Sequence, residues 1–273
     1  MRHLFYSSIS SWCAVLLLAQ VAVSSWAAEK NNLPPPASRV TRCIQGWNVL
    51  VDNRLFVSPN DTLGTRVLSL LEAKLVDITF VVPGEPLKKL QAVTIVLDLS
   101  HGPLHNMQYH PGADWLREHG YATNLVKCVH IPEAKDLLTS RSINEQPWVV
   151  LHELAHAYHD QVLGFEEPRI MREFGNFKKS GHGDNTLLYN GTRVRHYGLT
   201  DQKEFFAEMT EAYFGMDDFF PFNAAELMTA EPEIFELMKA IWGPLAFDRS
   251  TPSAKRSPVS QGRDSVSVQV LGV

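Results

Sequence analysis

Two histidines, four residues apart and with a glutamate after the first, stand inside an apolar stretch of the chain. The stretch reads VVLHELAHAYHD, residues 149–160, and its histidines are His152 and His156. The apolar residues around them predict one buried helix that ends at Gly164. Positions i and i+4 share a helix face, so both imidazoles can bind one zinc ion at about 2.0 to 2.1 Å. Glu153 lies beside this pair, where it can act on a zinc-bound water as general base.

The competing interpretation is a core helix whose histidines are merely packed. Burying two imidazoles and a carboxylate among apolar residues costs free energy unless a partner satisfies them. A metal ion is such a partner. We therefore interpret His152, Glu153 and His156 as parts of a zinc site, with Zn²⁺ as the cofactor.

A catalytic zinc site needs a third protein ligand and leaves one coordination position for water. The metzincin pattern places a glycine at position 159 and a histidine at position 162, but this chain has His159 and Val162. That class is therefore excluded. The other common third ligand is a glutamate from a second helix.

Such a helix is predicted in TDQKEFFAEMTEAYFG, residues 200–215, with Asp201 as its N-cap. Glu204, Glu208 and Glu211 fall on one face of it. An ordinary explanation is a solvated acidic face, and Glu204 can also form a capping box with Asp201. Spacing alone leaves Glu204 and Glu208 as equal candidates for the zinc ligand.

The segment YGLTDQKEFFAE together with HELAH resembles the catalytic domain of anthrax lethal factor and its relatives. These relatives include the Pro-Pro endopeptidases and belong to the gluzincin metalloproteases. In that family a tyrosine stands seven residues before the ligand glutamate, and a further glutamate follows four residues after it. Tyr197, Glu204 and Glu208 match the three positions, and the matching motifs cover about residues 146–216.

The resemblance implies a zincin-like metallopeptidase that hydrolyses peptide bonds in a peptide or protein substrate. It makes Glu204 the third zinc ligand and Glu208 a carboxylate that orients a ligand histidine. It makes Tyr197 the phenol that stabilises the oxyanion. Two alternatives remain at this point: a catalytically inactive zinc-binding recognition module on a peptidase fold, and a zinc hydrolase of another amide.

Four regions follow from composition along the 273 residues. Residues 1–27, with an apolar run and a small-residue cleavage site, predict a signal peptide, and residues 28–39 predict a proline-rich linker. Residues 40–249 form the predicted metallopeptidase domain, and the Ser-rich residues 250–273 a disordered tail. Short β-rich runs precede mainly helical segments, which predicts an α+β fold with a small strand-rich N-terminal part, a helical C-terminal part and a cleft between them.

The signal peptide predicts a secreted or periplasmic protein. The formal net charge of −5 gives no indication of a nucleic-acid partner, and no run in the mature chain is long enough to span a membrane. Cys43 and Cys128 remain after cleavage, and we expect either a disulfide between them or two buried free thiols.

The remaining histidines are assigned lesser roles. Residues 165–196 predict a mobile loop over the cleft, with His182 and His196 as surface histidines. His159 and Asp160 are interpreted as helix-end groups. A second metal site is not favoured for a group of irregularly spaced loop histidines, namely His101, His105 and His110.

Overall fold

The computed structural model describes residue 36 and residues 38–245. The predicted signal peptide and tail, and most of the predicted linker, lie outside the described residues. The strands are β1 (Arg39–Ile44), β2 (Trp47–Asp52), β3 (Ile95–Leu97), β4 (Gln108–Tyr109), β5 (Val129–Ile131), β6 (Thr186–Leu187) and β7 (Arg193–Val194). The helices are α1 (Asp61–Val81), α2 (Gly84–Gln91), α3 (Ala113–Glu118), α4 (Val149–Tyr158), α5 (Pro168–Ser180), α6 (Gln202–Phe214), α7 (Ala224–Ala230) and α8 (Pro232–Trp242).

The first five strands form one mixed sheet in the order β1-β2-β3-β5-β4. β2, β3 and β5 run parallel, whereas β1 and β4 are antiparallel to their neighbours. β3 and β5 are buried along their whole length, as parallel strands covered on both faces are. β4 is an edge strand, so one side of its backbone is free to meet other groups.

The predicted α+β class is confirmed, with two helices at the centre of the helical part. Residues 205–214 of α6 are all buried, and α4 is buried at every position except His156. The two helices pack against each other. Both helices carry large apolar side chains that pack into the core, among them Leu151 and Leu154 of α4 and Phe205 and Phe206 of α6, and this burial explains their central place.

The first half of the chain is less strand-rich than its sequence predicts, because α1 alone takes 21 residues. Gly64 allows α1 to lie directly on the turn after β2, since a Cβ there would stand 1.9 Å from the carbonyl oxygen of Leu55. On the buried face of α1, Lys74 donates from Nζ to the carbonyl oxygens of Ser142 and Pro147, at 2.7 and 2.8 Å. This lysine therefore fixes the segment that leads into α4.

The prediction of a loop over residues 165–196 is wrong. Pro168 begins the 13-residue helix α5, Glu167 caps it by accepting from the backbone N–H of Arg169, and β6 pairs with β7 after it. Ile170 and Phe177 bury the apolar face of α5. The glycine-rich KKSGHGDN, which suggested a loop, holds only the end of this helix and the turn after it.

The two cysteines are not bonded to each other. Cys43 is exposed on β1 and Cys128 is buried beside β5, and both are free thiols. Of the two expectations the disulfide is wrong, and the alternative of buried thiols holds for Cys128 alone. Among the residues that the structure describes, none of the helices has the length and apolar character needed to cross a membrane.

Candidate active site

The central helices bring the two histidines and a glutamate together. His152 and His156 stand one turn apart on α4, with ring centroids 4.8 Å apart. Glu204 reaches them from the first turn of α6, and its Oε2 lies 3.2 Å from His152 Nε2 and 3.4 Å from His156 Nε2. Asp201 caps α6 through the backbone N–H groups of Lys203 and Glu204, which fixes where this carboxylate emerges.

These distances fit a shared metal ion. Two ligand atoms at about 2.0 to 2.1 Å from a tetrahedral zinc ion lie about 3.3 Å apart. The ligand atoms of His152, His156 and Glu204 all lie within 4.8 Å of one another. Burial alone would raise the pKa of Glu204, but hydrogen bonds with the two histidines outweigh it and hold that pKa below its ordinary value. The carboxylate is therefore ionised, as a metal ligand must be.

Spacing in the sequence left Glu204 and Glu208 as equal candidates for the zinc ligand, but the two carboxylates face different atoms in the structure. Glu208 lies one turn further along α6 and approaches the other nitrogen of His152, Nδ1, at 3.4 Å. Glu204 alone of the two faces the Nε2 atoms of both histidines.

Glu211 is a site residue for which no role was predicted. Its Oε1 lies 2.7 Å from His152 Nδ1 and accepts a second hydrogen bond from Gln146 Nε2 at 2.8 Å. It thus lies closer to the histidine than Glu208, the residue predicted to orient it. Its place seven residues after Glu204 was the available signal, since that spacing keeps it on the same helix face.

Replacing Glu211 by glutamine should lower the affinity for zinc by about 10- to 100-fold, because the carboxylate that fixes the His152 tautomer is lost. Glu208→Gln should have a smaller effect, since the carboxylate of Glu208 stands farther from His152 Nδ1. Competition titrations with a zinc chelator measure both affinities. Equal losses, or a larger loss in Glu208→Gln, would contradict this assignment.

Glu153 is buried beside the two histidines. Its Oε2 accepts a hydrogen bond from the backbone N–H of Tyr109, at 2.8 Å, on the edge strand β4. Burial raises the pKa of Glu153, although the charges of His156 and His152 oppose the shift. A carboxylate with a raised pKa is suited to take up and return a proton near neutral pH.

Asp160 ties the edge strand to the end of the helix that carries the histidines. Its Oδ2 accepts from the hydroxyl of Tyr109 at 2.6 Å and also from Lys127 Nζ. The backbone of Tyr109, which holds Glu153, is therefore fixed from the helix side as well. His159 beside it is fully buried among aromatic rings and serves packing.

Tyr197 stands at the mouth of the site. It belongs to a short 3₁₀ turn (Tyr197–Leu199) just before α6, and the residue is 48% exposed. Partial burial and the nearby Glu204 raise the pKa of Tyr197, so its phenol keeps the proton that a hydrogen-bond donor needs.

The cleft of about 800 Å³ is lined by the residues of the candidate site, namely His152, Glu153, His156, Tyr197 and Glu204. One side is formed by β4 and the residues after it, and the other by the start of α6 and the segment after that helix. Aromatic side chains lie around the charged centre: Tyr109, Trp115, Phe165, Tyr197 and Phe219. Concave sites with an apolar wall and a few convergent polar groups are typical of ligand-binding sites.

The two histidines of the mispredicted loop differ from each other. His182 is exposed, as predicted, and its Nδ1 lies 2.7 Å from Glu231. The prediction of a surface place for His196 is wrong, because this residue is fully buried and its ring stacks on Phe219. It accepts from the backbone N–H of Gly198 and so fixes the turn that carries Tyr197.

Burial lowers the pKa of His196 to about 3, whereas an unfolded chain keeps it near 6.5. Between these values the unfolded chain binds a proton that the native protein does not. This histidine should therefore lower the free energy of unfolding as pH falls from about 6.5 to about 3, by about 1.4 kcal/mol per pH unit, and have no effect above that window. Urea unfolding from pH 7 to pH 4.5 should show a shallower loss of stability in His196→Phe. Parallel curves for both proteins would contradict the expectation.

His105 is one of the loop histidines for which a second metal site was not favoured. It is exposed, and its Nδ1 lies 3.1 Å from Glu133. His101 groups instead with Asp98 and His130, in a buried cluster that can be mistaken for a metal site. Arg39 already binds both oxygens of Asp98, at 2.8 and 2.7 Å. A guanidinium on that carboxylate disfavours a second cation there.

Searches with protein-family models, among curated proteins and among solved structures found no match to this chain.

Proposed function

We propose that this chain is a secreted zinc-dependent metallopeptidase with a zincin-like fold and a gluzincin type of ligand set. The observation that carries the proposal is the approach of Glu204 to the Nε2 atoms of both histidines, with Glu153 beside them. The resemblance to the lethal factor and Pro-Pro endopeptidase group agrees with these residues. Export follows from the predicted signal peptide, residues 1–27.

The protein's own residues divide the chemistry among them. Zinc, when held by His152, His156 and Glu204, supplies a Lewis acid that brings the pKa of water toward 7 and polarises a carbonyl. Glu153 takes the proton of the attacking water and returns it to the leaving amine. Tyr197 donates its O–H to the oxyanion that develops on the peptide carbonyl, an interaction whose loss typically costs about 10² to 10³ in rate.

The cleft suits an extended peptide. It contains the edge strand β4, and the aromatic rings that line it offer apolar contacts beside the charged centre. The same chemical groups would also act on another amide, and a recognition module without activity would retain the metal ligands but not need Glu153.

A diverse peptide library separates these functions. The mature protein, loaded with zinc, and its Glu153→Gln variant are incubated with the library, and new termini are read by mass spectrometry. Cleavage by the wild-type protein alone supports a peptidase. Failure of both proteins to cleave, with zinc bound and peptides retained, would indicate a recognition module. If neither protein cleaves or retains peptides, hydrolysis of another amide is the remaining function.

A further inference from the structure

A buried carboxylate joins two strands of the sheet to the wall of the cleft. Asp98 follows β3 directly and is fully buried. Its Oδ2 lies 2.7 Å from Arg39 Nη2, 2.9 Å from His101 Nδ1 and 3.0 Å from His130 Nε2. Arg39 and these histidines hold the pKa of Asp98 below its ordinary value even though burial opposes it. The ionised carboxylate only accepts hydrogen bonds, so both imidazoles must donate to it.

The position of the proton on His130 in turn determines the position of the proton on His110. A neutral imidazole that carries its proton on Nε2 has a lone pair on Nδ1. His130 Nδ1 lies 3.3 Å from His110 Nε2. With Asp98 on the far side of His130, His110 has to donate through Nε2, which leaves its own Nδ1 without a proton. Burial lowers the pKa of both histidines, in His110 to about 4, so both rings are neutral near pH 7.

His110 lines the cleft, although the residue is only 3% exposed. His110 directly follows Tyr109, the residue whose N–H holds Glu153, and its ring stacks with Trp115 at 5.8 Å between centroids. Both His110 and Trp115 line the cavity. Within the described part of the chain, Nδ1 of His110 has no hydrogen-bond partner. This nitrogen is also not one of the polar atoms that are fully shielded from solvent. A lone pair fixed in this way is an acceptor ready for a ligand.

We propose that His110 is a substrate-binding residue that accepts a hydrogen bond through Nδ1 from a backbone N–H of the bound peptide. Asp98 and His130 are positioning residues that act through it. The proposal rests on the proposed peptidase function for the identity of the ligand. The tautomer of His110 does not depend on that function, so the two parts are tested separately.

The tautomer is read by long-range ¹H–¹⁵N correlation spectra of zinc-loaded protein with ¹⁵N-labelled histidine, near pH 7. The expected spectrum has His110 protonated on Nε2 only. In His130→Phe, where the ring can no longer accept from His110, the signals should move toward a mixture of both tautomers. A proton on Nδ1 of wild-type His110, or an unchanged spectrum in His130→Phe, would overturn the fixed tautomer.

The hydrogen bond is tested with a cleavable library peptide and a series of its copies, each N-methylated at one amide. One methyl group should lower kcat/KM of the wild-type enzyme by about 10-fold, mainly through KM, which is typical for loss of one neutral hydrogen bond. His110→Phe should show a similar loss on the parent peptide and no further loss with that methyl group. His110→Gln, which keeps an acceptor, should recover part of the activity. His182→Gln, at an exposed histidine outside the cleft, serves as the unaffected control.

The outcomes are distinct. If every N-methyl group lowers kcat/KM as much in His110→Phe as in the wild-type enzyme, the substrate hydrogen bond is refuted even though the enzyme cleaves peptides. Should the wild-type protein cleave no peptide at all, the peptidase function and the peptide ligand of His110 fail together. The spectrum still decides whether Asp98 and His130 fix the tautomer.

Discussion

Replacement of Glu153 by glutamine is expected to lower kcat by about 10²- to 10⁴-fold on any peptide that the wild-type protein cleaves. Glutamine has nearly the same shape and still accepts from the N–H of Tyr109, but it cannot take a proton from water. Zinc content and thermal stability should remain those of the wild-type protein. Steady-state kinetics beside metal analysis of the same preparations give the comparison.

A matched control for this variant is Glu118→Gln, which makes the same chemical change at an exposed position on α3. Its kinetics should equal those of the wild-type protein. An active Glu153→Gln would remove Glu153 from the chemistry, whereas an inactive variant that had lost its zinc would point to a ligand or a structural role instead.

Replacement of Glu204 by glutamine is expected to weaken zinc binding by more than the 10- to 100-fold that loss of a supporting hydrogen bond costs. The reason is that the carboxylate lies against both histidines and supplies the one negative charge of the ligand set. Peptide cleavage should fall with the zinc content and return in part when zinc is added in excess. Chelator competition and kinetics at increasing zinc concentrations measure both effects.

Glu204→Gln and Glu211→Gln should differ in how much zinc affinity they lose. Glu204→Gln removes a proposed zinc ligand, whereas Glu211→Gln removes the carboxylate proposed to orient the ligand His152. The first should lose more affinity for zinc than the second. If Glu204→Gln binds zinc as tightly as the wild-type protein, the ligand set is wrong, and one of the neighbouring carboxylates of α6 has to replace it.

The sequence predicted the elements that carry the site because short-range rules determine them. Helical spacing placed His152 and His156 on one face, and Asp201 is the N-cap that its residue type indicated. Short-range rules could not decide whether Glu204 or Glu208 approaches the two histidines. The answer depends on how far along α6 the helix α4 crosses, which is a property of tertiary packing that spacing within one helix does not contain.

The same reason explains what the sequence missed. Glu211 has its role only because α4 presents His152 Nδ1 at that turn of α6. The helix α5 was mistaken for a loop because its mean apolar content is low and glycines follow it, although Ile170 and Phe177 lie on one face. The hydrogen-bonded series from Asp98 through His130 to His110 links residues that are 32 and 20 positions apart in sequence, and only the pairing of the strands in the sheet brings these side chains together.

The most direct test of the central claim is a crystal structure of the zinc-loaded protein with an anomalous difference map measured at the zinc edge. The account predicts one strong peak about 2.0 to 2.1 Å from Nε2 of His152, Nε2 of His156 and the carboxylate of Glu204. A peak at the cluster of Asp98, His101 and His130 instead, or no peak between α4 and α6 at full zinc loading, would contradict it.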